Sequence, residues 1–395
     1  MYPEDQLMYT GRERSRWLVD VADAMSDKRF RFRDSRFLAR TDLQTLLRAL
    51  TDSGYRCIGP QISDDVIVYD DLTDISQLPL GQTDIQSPGS YRLQSSASQR
   101  HFSWAVGPQA LKPLVFTPVE TLWQVRRIDG HLTFETCQAP VQPTAVLGVR
   151  ACDLAALQLL DAHFLAGDYP DSHYQQRRES LFLIAVDCSH PAETCFCHST
   201  GDGPAADDRF DLVLNELDDG YLIASGSERG AALMNMLPLR PVNPRQVTAA
   251  IESHDHAVKI QKRRLNPEHG KGLLNRLDHP RWDDIAERCL ACGNCTAVCP
   301  SCFCSSEADE PELDGRLSRH NRQWDTCFSY DHSYIHGQVI HSGRRERYRQ
   351  WLTHKLGNWH FQYGRSGCVG CGRCLTWCPV GIDITEEVKA LNDAG

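Results

Sequence analysis

Two short runs of cysteine constrain this chain more than any other feature. From Cys289 to Cys304 the sequence CLACGNCTAVCPSCFC packs six cysteines into sixteen residues, and CVGCGRCLTWCP, Cys368 to Pro379, repeats the spacing of the first four. Cys289, Cys292, Cys295 and Cys299 before Pro300, and again Cys368, Cys371, Cys374 and Cys378 before Pro379, follow the order C-x2-C-x2-C-x3-C-P. Three thiolates so spaced can wrap one face of a cubane, because the turn between each pair brings successive sulfurs onto neighbouring irons. The fourth must come from elsewhere, and in two-cluster arrangements the last cysteine of each run ligates the other cluster. The spacing therefore assigns Cys289, Cys292, Cys295 and Cys378 to one [4Fe–4S] cluster and Cys368, Cys371, Cys374 and Cys299 to a second. Structural zinc usually takes two separated C-x2-C pairs instead. Gly293, Gly370 and Gly372 would let backbone amides approach the sulfides, where hydrogen bonds raise the potential.

Composition sets the context. With 395 residues, 41% hydrophobic and 24% charged, the chain is long enough for two or three ordinary globular domains. A net charge of −10 argues against a general nucleic-acid binder. No apolar run reaches the roughly 18 to 20 residues of a bilayer span, and MYPEDQLMYTGRERSRW lacks the basic-then-apolar order of a secretory signal. The expectation is a cytoplasmic chain with no membrane insertion. In a reducing compartment, seventeen cysteines point to metal or redox chemistry rather than disulfides. Eleven of them follow residue 288, while the first 140 residues hold only Cys57 and Cys137, read as core or surface thiols.

The cysteine-poor front shows alternating elements. TDLQTLLRALTDSG reads as an amphipathic helix with Thr41 as N-cap, Gln44 three residues on and Gly54 as the stop. A strand is expected around Val66 to Tyr69, and a loop or small insertion from Gly81 to Arg100. A strand from Ala145 to Val149, a helix from about Asp153 to Phe164 and a strand ending near Asp187 make a βαβ candidate. The expected fold class is an α/β (α+β) N-terminal domain with a mixed sheet over 1–240 and a helical connector over 241–280. A ferredoxin-like dicluster helical domain over 281–395 follows, with a long insertion at 305–367. The basic cluster Lys259, Lys262, Arg263 and Arg264 of the connector reads as a solvated helix face.

Other cysteines stand outside the two runs. Cys152 in RACDL and Cys188, Cys195 and Cys197 in VDCSHPAETCFC sit at the ends of two expected strands and in the loop that follows, so they could converge at one sheet edge. A third cluster, another metal site and a set of buried structural thiols are all open readings there. Cys302, Cys304 and Cys327 flank the first run and would need a fourth donor, such as a nearby histidine, to complete a site.

Within the insertion, Glu307 to Asp314 is acidic. Arg344 to Lys355 is a basic, helical stretch with Tyr348, Trp351 and Leu352 on an apolar stripe, suited to covering the clusters or docking a partner subunit. No GxGxxG, phosphate loop, H-E-x-x-H or Ser/His/Asp order emerges, and nothing reads as a substrate-converting centre.

Taken together, GVRACDLAALQLLDAHF, DCSHPAETCFC, CLACGNCTAVCPSCFC, WDTCF and CVGCGRCLTWCPVGID resemble the iron–sulfur beta subunit of soluble, sulfhydrogenase-type nickel–iron hydrogenases and the related A subunit of anaerobic sulfite reductase. The resemblance covers residues from about 110 to 395. It implies an electron-transfer subunit without a catalytic centre of its own, relaying electrons between hydrogenase large and small subunits and a flavin subunit that handles NAD(P)H. It also implies that Cys152, Cys188, Cys195 and Cys197 act together. The same position in a sulfite reductase and a free-standing ferredoxin-like carrier are the alternatives.

Overall fold

The computed structural model describes residues 32, 34–138 and 140–393; the N-terminal stretch inspected above for a secretory signal lies outside them. With strands numbered along the chain, the front is organised by an eight-stranded mixed sheet. It comprises β1 (Arg36–Ala39), β2 (Arg56–Ser63), β3 (Val66–Asp71), β8 (Thr144–Val149), β9 (Leu181–Val186), β10 (Leu212–Glu216), β11 (Gly220–Ser225) and β12 (Arg240–Pro241). The order is β12-β1-β11-β10-β9-β8-β2-β3. Strands β2, β8, β9 and β10 run parallel to their neighbours in the middle, and antiparallel pairs finish both edges.

Every residue of β8 and β9 is buried, as continuous apolar runs in a sheet covered on both faces should be. Alternate residues of β9 feed different cores. Phe182, Ile184 and Val186 pack with Leu43, Leu46, Leu47 and Leu50, whereas Leu181, Leu183 and Ala185 pack with Leu154, Leu157 and Leu160. Helix Ala151–Phe164 supplies the second set and, with Ser172–Glu179, makes the expected crossover between parallel β8 and β9. Each fully buried leucine contributes about 1.5–3 kcal/mol of transfer free energy to these two layers.

One local expectation is corrected and one is refined. The helix read from Thr41 begins at Leu43 after a single 3-10 turn, Arg40–Asp42, and no side chain caps it. Gln44 accepts a hydrogen bond from Ile75 N at 2.9 Å, so it is spent on tertiary contact rather than a capping box. Gly54 does end the helix, at φ +87°. The segment 81–100 is not simply a loop, because it contains the antiparallel hairpin of β4 (Gln82–Ser87) and β5 (Ser90–Ser95). That hairpin packs on the second cysteine run: Gly89 N donates to Leu375 O at 3.0 Å, Thr376 Oγ1 to Gln86 Oε1 at 2.7 Å, and Tyr91 stacks on Trp377.

Helix Pro244–Ile260, closed at its start by a capping box between Asn243 and Gln246, leads to the back half. Lys259, Lys262 and Arg264 are exposed as expected, but Arg263 donates to Asp383 Oδ2 at 2.6 Å and clamps the connector to the C-terminal helix Ile384–Asn392. Around the cysteine runs, Trp282, Ile285, Tyr348, Trp351, Leu352, Leu375, Ile384 and Val388 form a separate core.

The insertion turns back toward the front. Its first hairpin, β13 (Ser305–Pro311) and β14 (Leu317–Trp324), adds to β6 (Val119–Ile128) and β7 (His131–Thr136) as a four-stranded antiparallel sheet ordered β13-β14-β6-β7. Buried Arg322 on β14 holds the junction by donating to Glu120 Oε1 on β6. The acidic stretch is the outer strand β13 and its turn, and charge on such an edge discourages pairing with another chain.

Candidate metal centre

The two cysteine runs fold as near copies. Ala291 and Gly370, each two residues after a run's first cysteine, have φ of +52° and +64°; Gly293 and Gly372 have +76° and +75°. Left-handed residues at these points curl the chain back so that Ala291 N reaches Cys289 Sγ at 3.4 Å and Gly370 N reaches Cys368 Sγ at 3.5 Å. One-turn helices Asn294–Ala297 and Arg373–Thr376 follow, each starting from its glycine.

The runs cross over. Cys289, Cys292, Cys295, Cys374 and Cys378 line one cavity with Tyr348, Trp351, Phe328, Ile382 and Ile384. Cys299 sits instead among the thiols of the second run. Burial pushes Cys368 up to about 12, with Cys371 and Cys299 adding to the shift. Cys371 and Cys374 are likewise raised by burial first and then by neighbouring thiols, Cys299 among them. Cys378 thus lies within electrostatic reach of Cys289 and Cys295, and Cys299 within reach of Cys368, Cys371 and Cys374 as well as Cys295.

The surroundings suit an anionic, sulfur-rich group. Tyr348 Oη and Trp351 Nε1 are buried hydrogen-bond donors on the wall of the first cavity, with no partner among the described residues. Such orphans call for an acceptor, and cluster sulfurs are acceptors. The basic helix Arg344–Thr353 turns Tyr348, Trp351 and Leu352 inward. Near the second run, buried Lys355 donates from Nζ to Ser301 Oγ at 3.1 Å and lies 4.7 Å from the Trp359 ring centroid. It forms no ion pair among the described residues. Although burial works against its charge, Cys299, Cys302 and Cys368 hold its pKa above the ordinary lysine value. Among the described residues no three His, Cys, Asp or Glu side chains crowd closely enough to hold a lone metal ion.

Cys152, Cys188, Cys195 and Cys197 gather at the carboxyl edge of the parallel strands. A glycine bulge at Gly148, φ +93°, distorts the end of β8 just before Cys152, and buried Arg150 reaches across to Phe102 O at 2.9 Å and Trp104 O at 2.7 Å. Burial raises all four thiols, Cys188 and Cys197 acting on Cys195, and Cys371 on Cys152, Cys195 and Cys197. The group therefore abuts the second run. Phe196 N donates to Gly370 O at 2.8 Å, and a Cβ on Gly370 or Gly372 would lie 2.5 Å from Cys197 N or Thr194 O. What these glycines demonstrably admit is the 194–197 backbone.

Cys302, Cys304 and Cys327 form a third grouping continuous with Cys299. A hydrogen bond from Cys302 lowers Cys299, and one from Cys327 lowers Cys304 to about 6. His332 lies within electrostatic reach of Cys304 and 3.6 Å from Asp325. Cys57 is buried in the front core and raised to about 11 by that burial, and Cys137 is half-buried; neither joins a cysteine group. Sequence reasoning missed the roles of Lys355, Asp153 and Arg373, because Ser301 lies 54 residues from Lys355 and Asp153 lies 220 from Arg373.

Comparison with known proteins gives two findings. Residues 288–382 match the family of 4Fe-4S dicluster domains. Over 277 residues the chain is 34% identical to sulfhydrogenase 2 subunit beta of Pyrococcus furiosus, covering 68% of this chain and 76% of that protein. No solved structure matches.

Proposed function

The chain belongs to the family of sulfhydrogenase beta subunits, iron–sulfur electron-transfer proteins of a hydrogenase complex, and on that premise we propose the specific relay it forms. Electrons pass through two [4Fe–4S] clusters, one held by Cys289, Cys292, Cys295 and Cys378 and the other by Cys368, Cys371, Cys374 and Cys299. The relay joins a nickel–iron module of large and small subunits to a flavin subunit that reacts with NAD(P)H. Bound in these sites, a cluster supplies one-electron transfer at a potential set by charge, hydrogen bonds and burial.

The observation that supports this most is the proximity of Cys378 to Cys289 and Cys295 and of Cys299 to Cys368 and Cys374, thiols of the opposite run. The chain's own groups cover them in part, with Cys292 left exposed. Tyr348 and Trp351 cover the first site, and the loop 194–197 together with hairpin β4–β5 covers the second. Cys152, Cys188, Cys195 and Cys197, buried against the second run, hold a third cluster in this reading. A flavin takes electrons singly and delivers them in pairs as hydride, which makes it a natural neighbour of such a relay.

Among the described residues no helix is long and apolar enough to cross a membrane. The proposal is tested by isolating the complex anaerobically through a tag on this chain. Nickel with iron and flavin supports it. Sirohaem without nickel would place the chain in a sulfite reductase, and recovery of the chain alone would make it a free carrier.

A further inference from the structure

Lys355 occupies an unusual place. The helix that begins at Arg344 passes through a π-helical segment, His354–Asn358, before continuing at Trp359–Tyr363, and this wider turn buries Lys355, Leu356 and Gly357 together. π-helical turns are costly and recur at functional sites. The ammonium group reaches the Ser301 hydroxyl, the Cys302 thiol and the Trp359 face, and among the described residues no carboxylate pairs with it. Ser301 Oγ in turn donates to Gly367 O at 2.7 Å and lies 3.4 Å from Cys299 Sγ, while Gly367 N donates to Lys355 O at 2.8 Å. The lysine therefore stands between the stem of Cys299 and the stem of Cys368, which come from different runs.

A buried ammonium without a counter-ion is strongly disfavoured. The anionic groups offered to Lys355 are thiolates, and a cluster bound by four thiolates carries net negative charge that grows by one on reduction. A fixed cation beside it favours the reduced state, and in a poorly screened interior that effect is large. Arg373, the other deeply buried cation near the second run, is already neutralised by Asp153. Lys112 is also buried and within electrostatic reach of Cys299, Cys302 and Cys304, but its ammonium donates to carbonyls, Ala297 O at 3.0 Å and Thr296 O at 3.4 Å.

Resting on the two-cluster reading above, we propose that Lys355 is the counter-charge of the cluster held by Cys368, Cys371, Cys374 and Cys299 and sets its reduction potential. It is a positioning and tuning residue rather than a ligand.

The test is an anaerobic potentiometric titration, followed by electron paramagnetic resonance, of the full chain with clusters in place. Wild type, Lys355→Met, Lys355→Gln and Lys355→Arg are compared. Both neutral variants should lower one midpoint by at least a tenfold change in the reduction equilibrium, about 59 mV for one electron. The other midpoint should stay in place, and Lys355→Arg should keep both. If the neutral variants load only one cluster while Lys355→Arg loads two, the counter-charge is needed for assembly and the proposal stands. Unmoved midpoints in a fully loaded neutral variant, or cluster loss in all three variants, would overturn it. Failure of the wild type to hold iron and sulfide at the second run would instead remove the two-cluster reading.

Discussion

Arg373 and Asp153 form a two-pronged ion pair, Nη1 to Oδ1 at 2.8 Å and Nη2 to Oδ2 at 3.1 Å, with both side chains 1% exposed. The arginine lies inside the second cysteine run, next to Cys374, and the aspartate next to Cys152 on the crossover helix. The pair thus locks the dicluster region to the sheet, aided by a bond from Arg373 Nε to Gly107 O at 2.8 Å. Removing one partner strands the other charge. Arg373→Met is therefore expected to cost about 3–5 kcal/mol, and the double variant Arg373→Met/Asp153→Leu considerably less. Denaturant unfolding of the two variants checks this; equal losses would contradict the pairing account.

The proposed exchange of fourth ligands makes a paired expectation. Cys378→Ala should remove the cluster of the first run, and Cys299→Ala that of the second, each lowering iron and acid-labile sulfide by about four per chain. Elemental analysis with spectroscopy distinguishes the remaining cluster. Were Cys378→Ala to spare the first cluster, the crossed assignment would be wrong.

Two glycines with the same backbone handedness should respond differently. At Gly54, φ +87° with nothing near an added Cβ, alanine costs only the left-handed penalty, about 1–2 kcal/mol. At Gly370, φ +64°, the same Cβ lies 2.5 Å from Cys197 N, so Gly370→Ala must also push the 194–197 loop away. Melting temperature should fall further for Gly370→Ala, with a drop in bound iron that Gly54→Ala does not show.

His101 gives a pH dependence. Burial, helped by Arg40, holds its pKa down to about 4, against 6.5 for the free side chain. Its neighbours are Tyr221 Oη at 2.7 Å, Arg40 and Glu216. Because the folded value is depressed, the neutral ring's contribution is complete above about pH 6.5 and is lost as pH falls toward 4. The loss should be on the order of 3 kcal/mol. Thermal unfolding across that window should show a steeper decline for wild type than for His101→Gln; parallel declines would count against it.

Residue patterns show why some of this was legible in the sequence and some was not. The apolar runs of β8 and β9 and the leucines of Leu43–Asp52 carry their own periodicity, so they could be read locally. Hairpin β4–β5 is polar and interrupted by Pro88-Gly89, and its stability comes from contacts with Leu375, Thr376 and Trp377. Cysteine spacing identified which thiols form runs because ligands of one cluster are mostly near neighbours in sequence. Arg373 and Asp153 are 220 residues apart, and the burial of Lys355 depends on a π-helical turn that no composition signal announces.

The central claim, a two-cluster electron relay, is tested most directly by metal and sulfide analysis of the anaerobically isolated full chain with a parallel reductive titration. The account expects at least about eight irons and eight sulfides per chain, about four more of each if the Cys152 group is filled, and two centres that each take up one electron. Zinc without sulfide, or a single reducible centre, would contradict it.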